Sequence, residues 1–139
     1  MRKIIKGFQN VYCRIGVSKI DGAGVGVISI RDIPAGINPF PDTKLNKWEK
    51  VKISDLKDVH PNICKMIDDF GVKEGDNIWV PSAGLNNLNI SYFINHSKSP
   101  NMIAMDQGDY FLTLREIKEG DELTVDYEAY DEEGHALMF

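Results

Sequence analysis

Cysteine is scarce in this sequence, and several other features that mark common protein classes are missing. Cys13 and Cys64 are the only thiols among 139 residues, so the chain can form at most one disulfide and cannot alone supply a four-thiolate zinc site. We therefore expect a reducing cytoplasm, with the nucleus as an equally reducing alternative in a eukaryote. No apolar run approaches the roughly 18 residues of a membrane span. The basic start, Met1–Gly7, also lacks the apolar stretch of a secretory signal.

A basic surplus is also missing. The formal net charge is −5, from 16 basic and 21 acidic residues, which argues against direct binding to nucleic acid. The acidic excess is local, because the segment from Glu116 to Glu133 contains nine acidic residues and a single basic residue, Lys118. This asymmetry is the first indication of the charge that a partner would carry.

The remaining composition, 42% hydrophobic and 27% charged, is typical of one globular domain. Short β-rich segments dominate both ends of the chain, and two helix signals lie between them. We find no internal repeat. The sequence thus predicts a mostly β fold with short helices, of the α+β class. The predicted strands cover 11–17, 26–30, 78–81, 109–115 and 122–127, and the predicted helices cover 54–58 and 61–70.

Three segments could carry chemistry, although each also has a plain structural interpretation. Gly22–Gly26 could be a hairpin turn, and it lacks the spacing of a dinucleotide-binding or phosphate-binding loop. His96, within Tyr92–Asn101, could be a structural histidine, and no second His or Cys lies at metal-ligand spacing from it. Glu122–Tyr127 could be an ordinary amphipathic strand. Taken one at a time, these segments do not identify a function.

Taken together and in this order, the segments resemble the SET-domain family of protein lysine methyltransferases. Gly24–Val27 is similar to the first motif of that family, and Phe93–Asn101 is similar to its signature F-I-N-H-S-x-x-P-N. Glu122–Tyr127 is similar to its final motif, E-L-T-x-D-Y. The resemblance is closest over 91–127 and least over 37–90, where the family carries its most variable insert.

The resemblance implies a fold of small curved sheets with a helical insert and a C-terminal pseudoknot. In that pseudoknot the Asn95–Asn101 segment would meet the final motif, which is an exception to the rule against threaded connections. We expect a single SET domain over residues 1–139, with the insert at about 38–90 and a short C-terminal lid at 128–139. No cysteine follows Cys64, so the cysteine-rich zinc segment of many members is missing and the chain resembles the minimal members.

The resemblance also implies the reaction and the residues of the site. Members transfer a methyl group from S-adenosylmethionine to a lysine amine, leaving S-adenosylhomocysteine, and need no metal for it. Tyr127 would be the catalytic tyrosine. The cofactor would contact Gly24, Val25, Gly26, Tyr92, Asn95, His96 and Tyr127. The substrate channel would be lined by Phe93, Val125 and Tyr130, and Phe139 is a further candidate for the lid.

The implied partner is a lysine-containing basic protein or peptide, of which a histone-like tail is one example. The acidic segment after Glu116 would attract such a substrate and would disfavour nucleic acid, and no membrane partner is expected. A homodimer is compatible with so small a domain, although nothing in the sequence requires it. The alternative function is a catalytically silent SET-like module that binds peptides. The intact Tyr127 and Asn95–His96 pair favour the enzyme, and a purely structural protein would need three motif matches in order by accident.

Overall fold

The computed structural model describes residues 2–41, 43 and 46–128, and these residues form short strands with few helices. In chain order the elements are α1 (Lys3–Phe8), β1 (Cys13–Val17), β2 (Val25–Ser29), β3 (Trp48–Lys52), α2 (Pro61–Phe70), β4 (Val72–Glu74), β5 (Asn77–Pro81), β6 (Asn95–His96), β7 (Met102–Met105), β8 (Tyr110–Thr113) and β9 (Glu122–Val125). Short 3-10 turns cover Ile53–Leu56, Leu85–Asn87 and Ile90–Phe93. The mostly β class predicted from the sequence is confirmed.

The sheet that carries the site has the strand order β1-β2-β9-β6. β2 pairs antiparallel with both β1 and β9, whereas β6 pairs parallel with β9 through Asn95 opposite Thr124 and His96 opposite Val125. All four residues of β9 are buried, so both faces of this strand are covered. A strand from the end of the described chain therefore lies at the centre of this sheet.

Asn101 holds the segment after β6 against β9. Its side-chain amide donates a hydrogen bond to the Glu122 carbonyl (2.9 Å), and its side-chain oxygen accepts one from the Thr124 amide (2.8 Å). The Ser97 amide adds a bond to the Val125 carbonyl (2.9 Å). The predicted meeting of the Asn95–Asn101 segment with the final motif is thus present.

The insert contains more sheet than the sequence indicates. Helix α2 begins at Pro61 and ends before Gly71, as predicted, and the His60 ring caps it by accepting a hydrogen bond from the Asn62 amide (3.1 Å). The helix predicted at 54–58 is instead the 3-10 turn at Ile53–Leu56. Three other segments of the insert, β3, β4 and β5, form an antiparallel sheet in the order β3-β5-β4.

The hydrophobic core joins the two ends of the described chain. Val27 and Ile33 come from the first third, Phe111 and Leu123 come from the last third, and all four are almost fully buried. Ile33 also forms an isolated bridge with Ile117, with reciprocal backbone hydrogen bonds of 2.7 and 2.9 Å. The burial of these side chains fixes the frame on which β2, β6 and β9 present the site. Among the described residues, no helix has the length and apolarity needed to cross a membrane.

Candidate active site

Tyr127 lies just beyond β9 and is held by the neighbouring strand β6 and the turn before it. Its backbone amide donates a hydrogen bond to His96 Nδ1 (2.9 Å), and its hydroxyl donates one to the Ile94 carbonyl. The rings of His96 and Tyr127 lie 5.1 Å apart between centroids. The parallel pairing of β6 with β9 therefore brings together His96 and Tyr127, which are far apart in the sequence.

Burial keeps the Tyr127 phenol in its neutral form. It raises the pKa of Tyr127 from 10.0 to about 12, because desolvation disfavours the phenolate. The hydroxyl therefore stays protonated at neutral pH and uses its hydrogen on the Ile94 carbonyl. This donation fixes the direction of the hydroxyl and leaves its lone pairs as acceptors.

His96 orients the chain that carries Tyr127. Since Nδ1 accepts the hydrogen bond from the Tyr127 amide, we assign the ring hydrogen to Nε2. Asp126 Oδ1 lies 3.6 Å from the same Nδ1, which is too long for a hydrogen bond and leaves the amide as the partner. The imidazole thus acts in the described part of the chain as a hydrogen-bond acceptor for the backbone.

Asn95 links the Tyr127–His96 contact to the glycine segment, Gly24–Gly26. Its side-chain amide donates towards the Val25 carbonyl (2.9 Å), Glu122 Oε2 (2.8 Å) and Ser18 Oγ (3.2 Å). The Val25 carbonyl belongs to β2, so one side chain connects β2, β6 and β9. Of the residues predicted to contact a cofactor, the structure thus places Gly24–Gly26, Asn95, His96 and Tyr127 around one junction of strands.

Two glycines in the glycine segment have different structural reasons to be glycine. Gly24 has φ of +77°, and a Cβ built on it would meet no atom within 4 Å, so its open side is free for close approach of a ligand. Gly26 is crowded instead. A Cβ on Gly26 would lie 2.4 Å from Glu122 Oε2 and 3.0 Å from Asn95 Nδ2. The sequence alone does not separate these two roles.

A cavity of about 460 Å³ opens beside Tyr127, within the size range of small-molecule sites. Tyr92, which the resemblance implies as a cofactor contact, lies in its wall, with its ring packed 5.6 Å from that of Trp48. Burial raises the pKa of Tyr92, and the nearby Asp109 carboxylate raises it further, so this phenol is neutral as well. The lining residues are Asp68, Asp69, Phe70, Gly71, Val72, Lys73, Tyr92 and Tyr127.

The residues predicted for the substrate channel are placed differently. Val125 is fully buried in the core, and the Phe93 ring packs edge-on against Phe70 at 5.5 Å, so neither side chain lines this cavity. The sequence-based placement of both as channel walls follows their motifs, which do not fix the direction of the Phe93 side chain in its 3-10 turn or of the Val125 side chain on β9. Tyr130 and Phe139 lie outside the described residues.

The negative charge beside the cavity comes from a source that the sequence did not indicate. Asp68 and Asp69, at the end of α2, are exposed in its lining, and Asp68 pairs with Lys73 at 2.9 Å. Within the acidic segment, Glu116 pairs with Lys118 (2.6 Å) and Glu122 is buried. In the described part of the chain, therefore, α2 rather than the acidic segment supplies the carboxylates of this wall.

Ser18 and Glu122 form a polar cluster with Asn95, and neither was predicted as a site residue. The signal for Glu122 was its place in the final motif, whereas nothing in the sequence marks Ser18. In residues 2–41, 43 and 46–128, no three His, Cys, Asp or Glu side chains are grouped as metal ligands.

Comparison with known proteins identifies related folds. The family model described as the SET domain matches residues 24–128. A structure of a humanized mutant of the Chaetomium thermophilum Polycomb Repressive Complex 2, bound to an inhibitor, is similar with a TM-score of 0.54 and 22% identity. That alignment covers 84% of this chain and 15% of the other.

A Plasmodium falciparum protein described as a candidate histone methyltransferase is similar with a TM-score of 0.50 and 17% identity. Here the alignment covers 84% of this chain and 93% of the other. At these identities the two structures establish a shared fold. A search of curated proteins finds no match.

Proposed function

Because the chain belongs to the SET domain family, we propose that it is a protein lysine methyltransferase that uses S-adenosylmethionine. The observation that carries the proposal is a junction of two side-chain contacts. Asn95 bonds the Val25 carbonyl and His96 bonds the Tyr127 amide, so this pair joins the glycine segment to Tyr127. The three motifs are separate in the sequence, and this junction is the arrangement that a shared ligand site requires.

The residues at the junction fit the proposed cofactor. The backbone at Gly24 is open on one side, and Val25 is 46% exposed, so a ligand can reach the main chain there. The cavity beside Tyr127 has aromatic walls, the Asp68–Lys73 ion pair and the Asp69 carboxylate, which suits a positively charged or polarised group. Gly24, Val25, Asn95 and His96 would hold the cofactor, and Tyr127 would face the reacting atoms.

When bound, S-adenosylmethionine supplies an electrophilic methyl group on a sulfonium. The contribution of this chain is then to align the lysine amine with that methyl group, because correct alignment is the main source of rate enhancement in a displacement reaction. The amine must also be neutral. With a reference pKa of about 10.4, deprotonation near pH 7.4 costs roughly 4 kcal/mol. Desolvation between Tyr92 and Tyr127 lowers that cost, because burial disfavours the ammonium form.

Tyr127 acts in this scheme as a neutral acceptor and not as a base. With its pKa at about 12, its phenol carries its proton throughout the neutral range. While its hydrogen is donated to the Ile94 carbonyl, the hydroxyl oxygen can accept weak contacts from the polarised methyl group. The amine proton leaves to solvent, so no side chain has to accept it.

The charge of the cavity wall favours a basic substrate. Lys73 lies in this wall and pairs with Asp68, so a lysine flanked by basic residues would be attracted mainly to Asp69. The P. falciparum neighbour is described as a candidate histone methyltransferase, which makes histone-like tails a natural first set of substrates to test. We propose basic protein segments as the substrate class.

Two measurements test the function. Calorimetry with S-adenosylmethionine and S-adenosylhomocysteine tests binding, and mass spectrometry of a basic peptide array tests methyl transfer. We expect Tyr127→Phe to keep cofactor affinity and lose most turnover, while Tyr110→Phe, a matched tyrosine on β8, retains activity.

Each failure has a different meaning. No binding at millimolar cofactor would favour the alternative function, a silent peptide-binding module. Near-normal turnover in Tyr127→Phe would overturn the role of that residue while leaving the family assignment intact.

A further inference from the structure

Glu122 is a buried carboxylate inside the site that the proposed chemistry does not use. Its side chain accepts hydrogen bonds from Ser18 Oγ (2.9 Å to each oxygen), the Lys19 amide (2.8 Å) and Asn95 Nδ2 (2.8 Å). The residue is 9% exposed, so these donors replace the water that a carboxylate would otherwise need. Burying an acidic group of this kind is costly unless its acceptors are satisfied, as they are here.

Two of the donors belong to the loop between β1 and β2. Ser18 begins this loop, and its amide donates to the Gly24 carbonyl (2.8 Å), which closes the loop at its base. The Ser18 hydroxyl also accepts a hydrogen bond from the Ile20 amide (3.0 Å). Glu122 therefore holds both the start of the loop and, through Ser18, the residue Gly24 at its other end.

Gly26 shows how closely this carboxylate packs on the glycine segment. A Cβ at that position would overlap Glu122 Oε2 at 2.4 Å and would also press on Asn95 Nδ2 at 3.0 Å. The absence of a side chain at Gly26 thus makes room for the Glu122–Asn95 pair. Here the glycine serves a contact within the protein rather than a contact with a ligand.

We propose that Glu122 is a positioning residue that clamps the loop Ser18–Gly24 and the Asn95 amide in the geometry that receives the cofactor. The inference rests on the proposed function for the identity of the ligand, whereas the clamp itself rests only on the contacts above. A carboxylate is required because all its partners are donors. A glutamine would turn an NH₂ group towards one of those donors and lose that bond.

The test compares Glu122→Gln with Glu119→Gln, a matched control on an exposed turn. The first readout is amide hydrogen exchange of the protein without cofactor, and the second is calorimetric affinity for S-adenosylhomocysteine. We expect exchange in the loop Ser18–Gly24 to become about tenfold faster in Glu122→Gln, since at least one charge-assisted hydrogen bond is lost. Affinity should fall about tenfold for the same reason. Glu119→Gln should match the wild type in both.

A second variant separates clamping from general destabilisation. Ser18→Ala removes one partner of the carboxylate and should speed exchange in the same loop to a smaller extent. In the Glu122→Gln background its effect should shrink, because the two groups act through one contact. Exchange in the paired strands β3 and β5 of the insert, which contribute no partner to Glu122, should not change in either variant.

The outcomes distinguish the clamp from the function. Wild-type exchange and affinity in Glu122→Gln would overturn the proposal, and so would faster exchange spread equally over the loop and the paired strands β3 and β5. If the wild-type protein binds no S-adenosylhomocysteine, the proposed function fails together with the affinity part of the inference. Loop exchange then still decides whether Glu122 is a clamp.

Discussion

Replacement of Asn101 by alanine tests whether the junction of β6 and β9 depends on one buried side chain. Asn101 is 7% exposed and bridges two backbone groups of β9, the Glu122 carbonyl at 2.9 Å and the Thr124 amide at 2.8 Å. Water does not reach these groups easily, because Glu122 and Thr124 are themselves 9% and 8% exposed. Asn101→Ala therefore removes two hydrogen bonds and leaves their partners in a dry environment.

The magnitude follows from the cost of unsatisfied buried groups. At roughly 1–3 kcal/mol for each group, the loss amounts to about 3 kcal/mol of unfolding free energy. For a domain of this size that corresponds to a fall in Tm of about 10 °C. Urea unfolding monitored by circular dichroism and a thermal scan measure the two quantities independently.

The control for this variant is Asn87→Ala. Asn87 also donates a side-chain hydrogen bond, to the Ala83 carbonyl at 2.8 Å, but it lies in an exposed local turn. Its replacement should cost no more than about 1 kcal/mol. Equal effects of Asn101→Ala and Asn87→Ala would refute the reasoning that burial of the bridge, and not the hydrogen bond as such, sets the magnitude.

Three further predictions concern the glycine segment, the cavity wall and the buried thiol. Gly26→Ala should lower stability by about 2 kcal/mol in urea unfolding, because its methyl group would lie 2.4 Å from Glu122 Oε2. Asp69→Asn should raise KM for a basic peptide about twofold to fivefold at low salt and flatten the decline of kcat/KM with ionic strength. Burial raises the pKa of Cys13 from 9.0 to about 12, so the unfolded chain loses this proton first and the free energy of unfolding should fall as pH rises from about 9 towards 12. For the same reason Cys64 should be alkylated faster than Cys13 at pH 8.5, as measured by mass spectrometry.

Each of these has a control or a contrary result. If Gly26→Ala unfolds at the same urea concentration as the wild type, the Glu122 carboxylate moves aside without cost. Asp58→Asn, an exposed change in the same insert but away from the cavity, should leave KM and its salt dependence unchanged. Equal alkylation of the two cysteines in the folded protein would show that the Cys13 thiol is accessible.

Periodicity predicted the elements whose apolar residues recur at a regular spacing in the sequence. Helix α2 has apolar residues at helical spacing, and its bounds, Pro61–Phe70, agree with the sequence signals. β3 was missed because charged residues interrupt Trp48–Lys52, and this segment is a strand through its five-residue pairing with β5. Helix α1 was missed because its six residues, Lys3–Phe8, are too few to show a helical repeat of apolar residues. Neither β3 nor α1 shows the regular spacing of apolar residues from which a strand or a helix is predicted.

Some residues of the site were likewise predicted from the sequence, and others were not. Tyr127 and the Asn95–His96 pair were predicted through motifs, because the residue types and their order are visible in the sequence. The carboxylates of Asp68 and Asp69 reach the cavity beside Tyr127 only because the folded chain places the end of α2 there. The partners of Glu122 depend on the conformation of a loop more than a hundred residues earlier, which no local pattern specifies.

The central position of β9 has a consequence for the order in which the protein can acquire its structure during synthesis. β2 and β6 flank β9 and are translated before it, so until residues 122–125 leave the ribosome the two earlier strands have no partner between them. Contacts of such long sequence separation form late and slowly. The nascent chain would expose the apolar side chains of β2 throughout this interval, when they are open to aggregation or chaperone capture. Ligand binding would therefore begin abruptly, with the arrival of one four-residue strand, and not gradually as the chain lengthens.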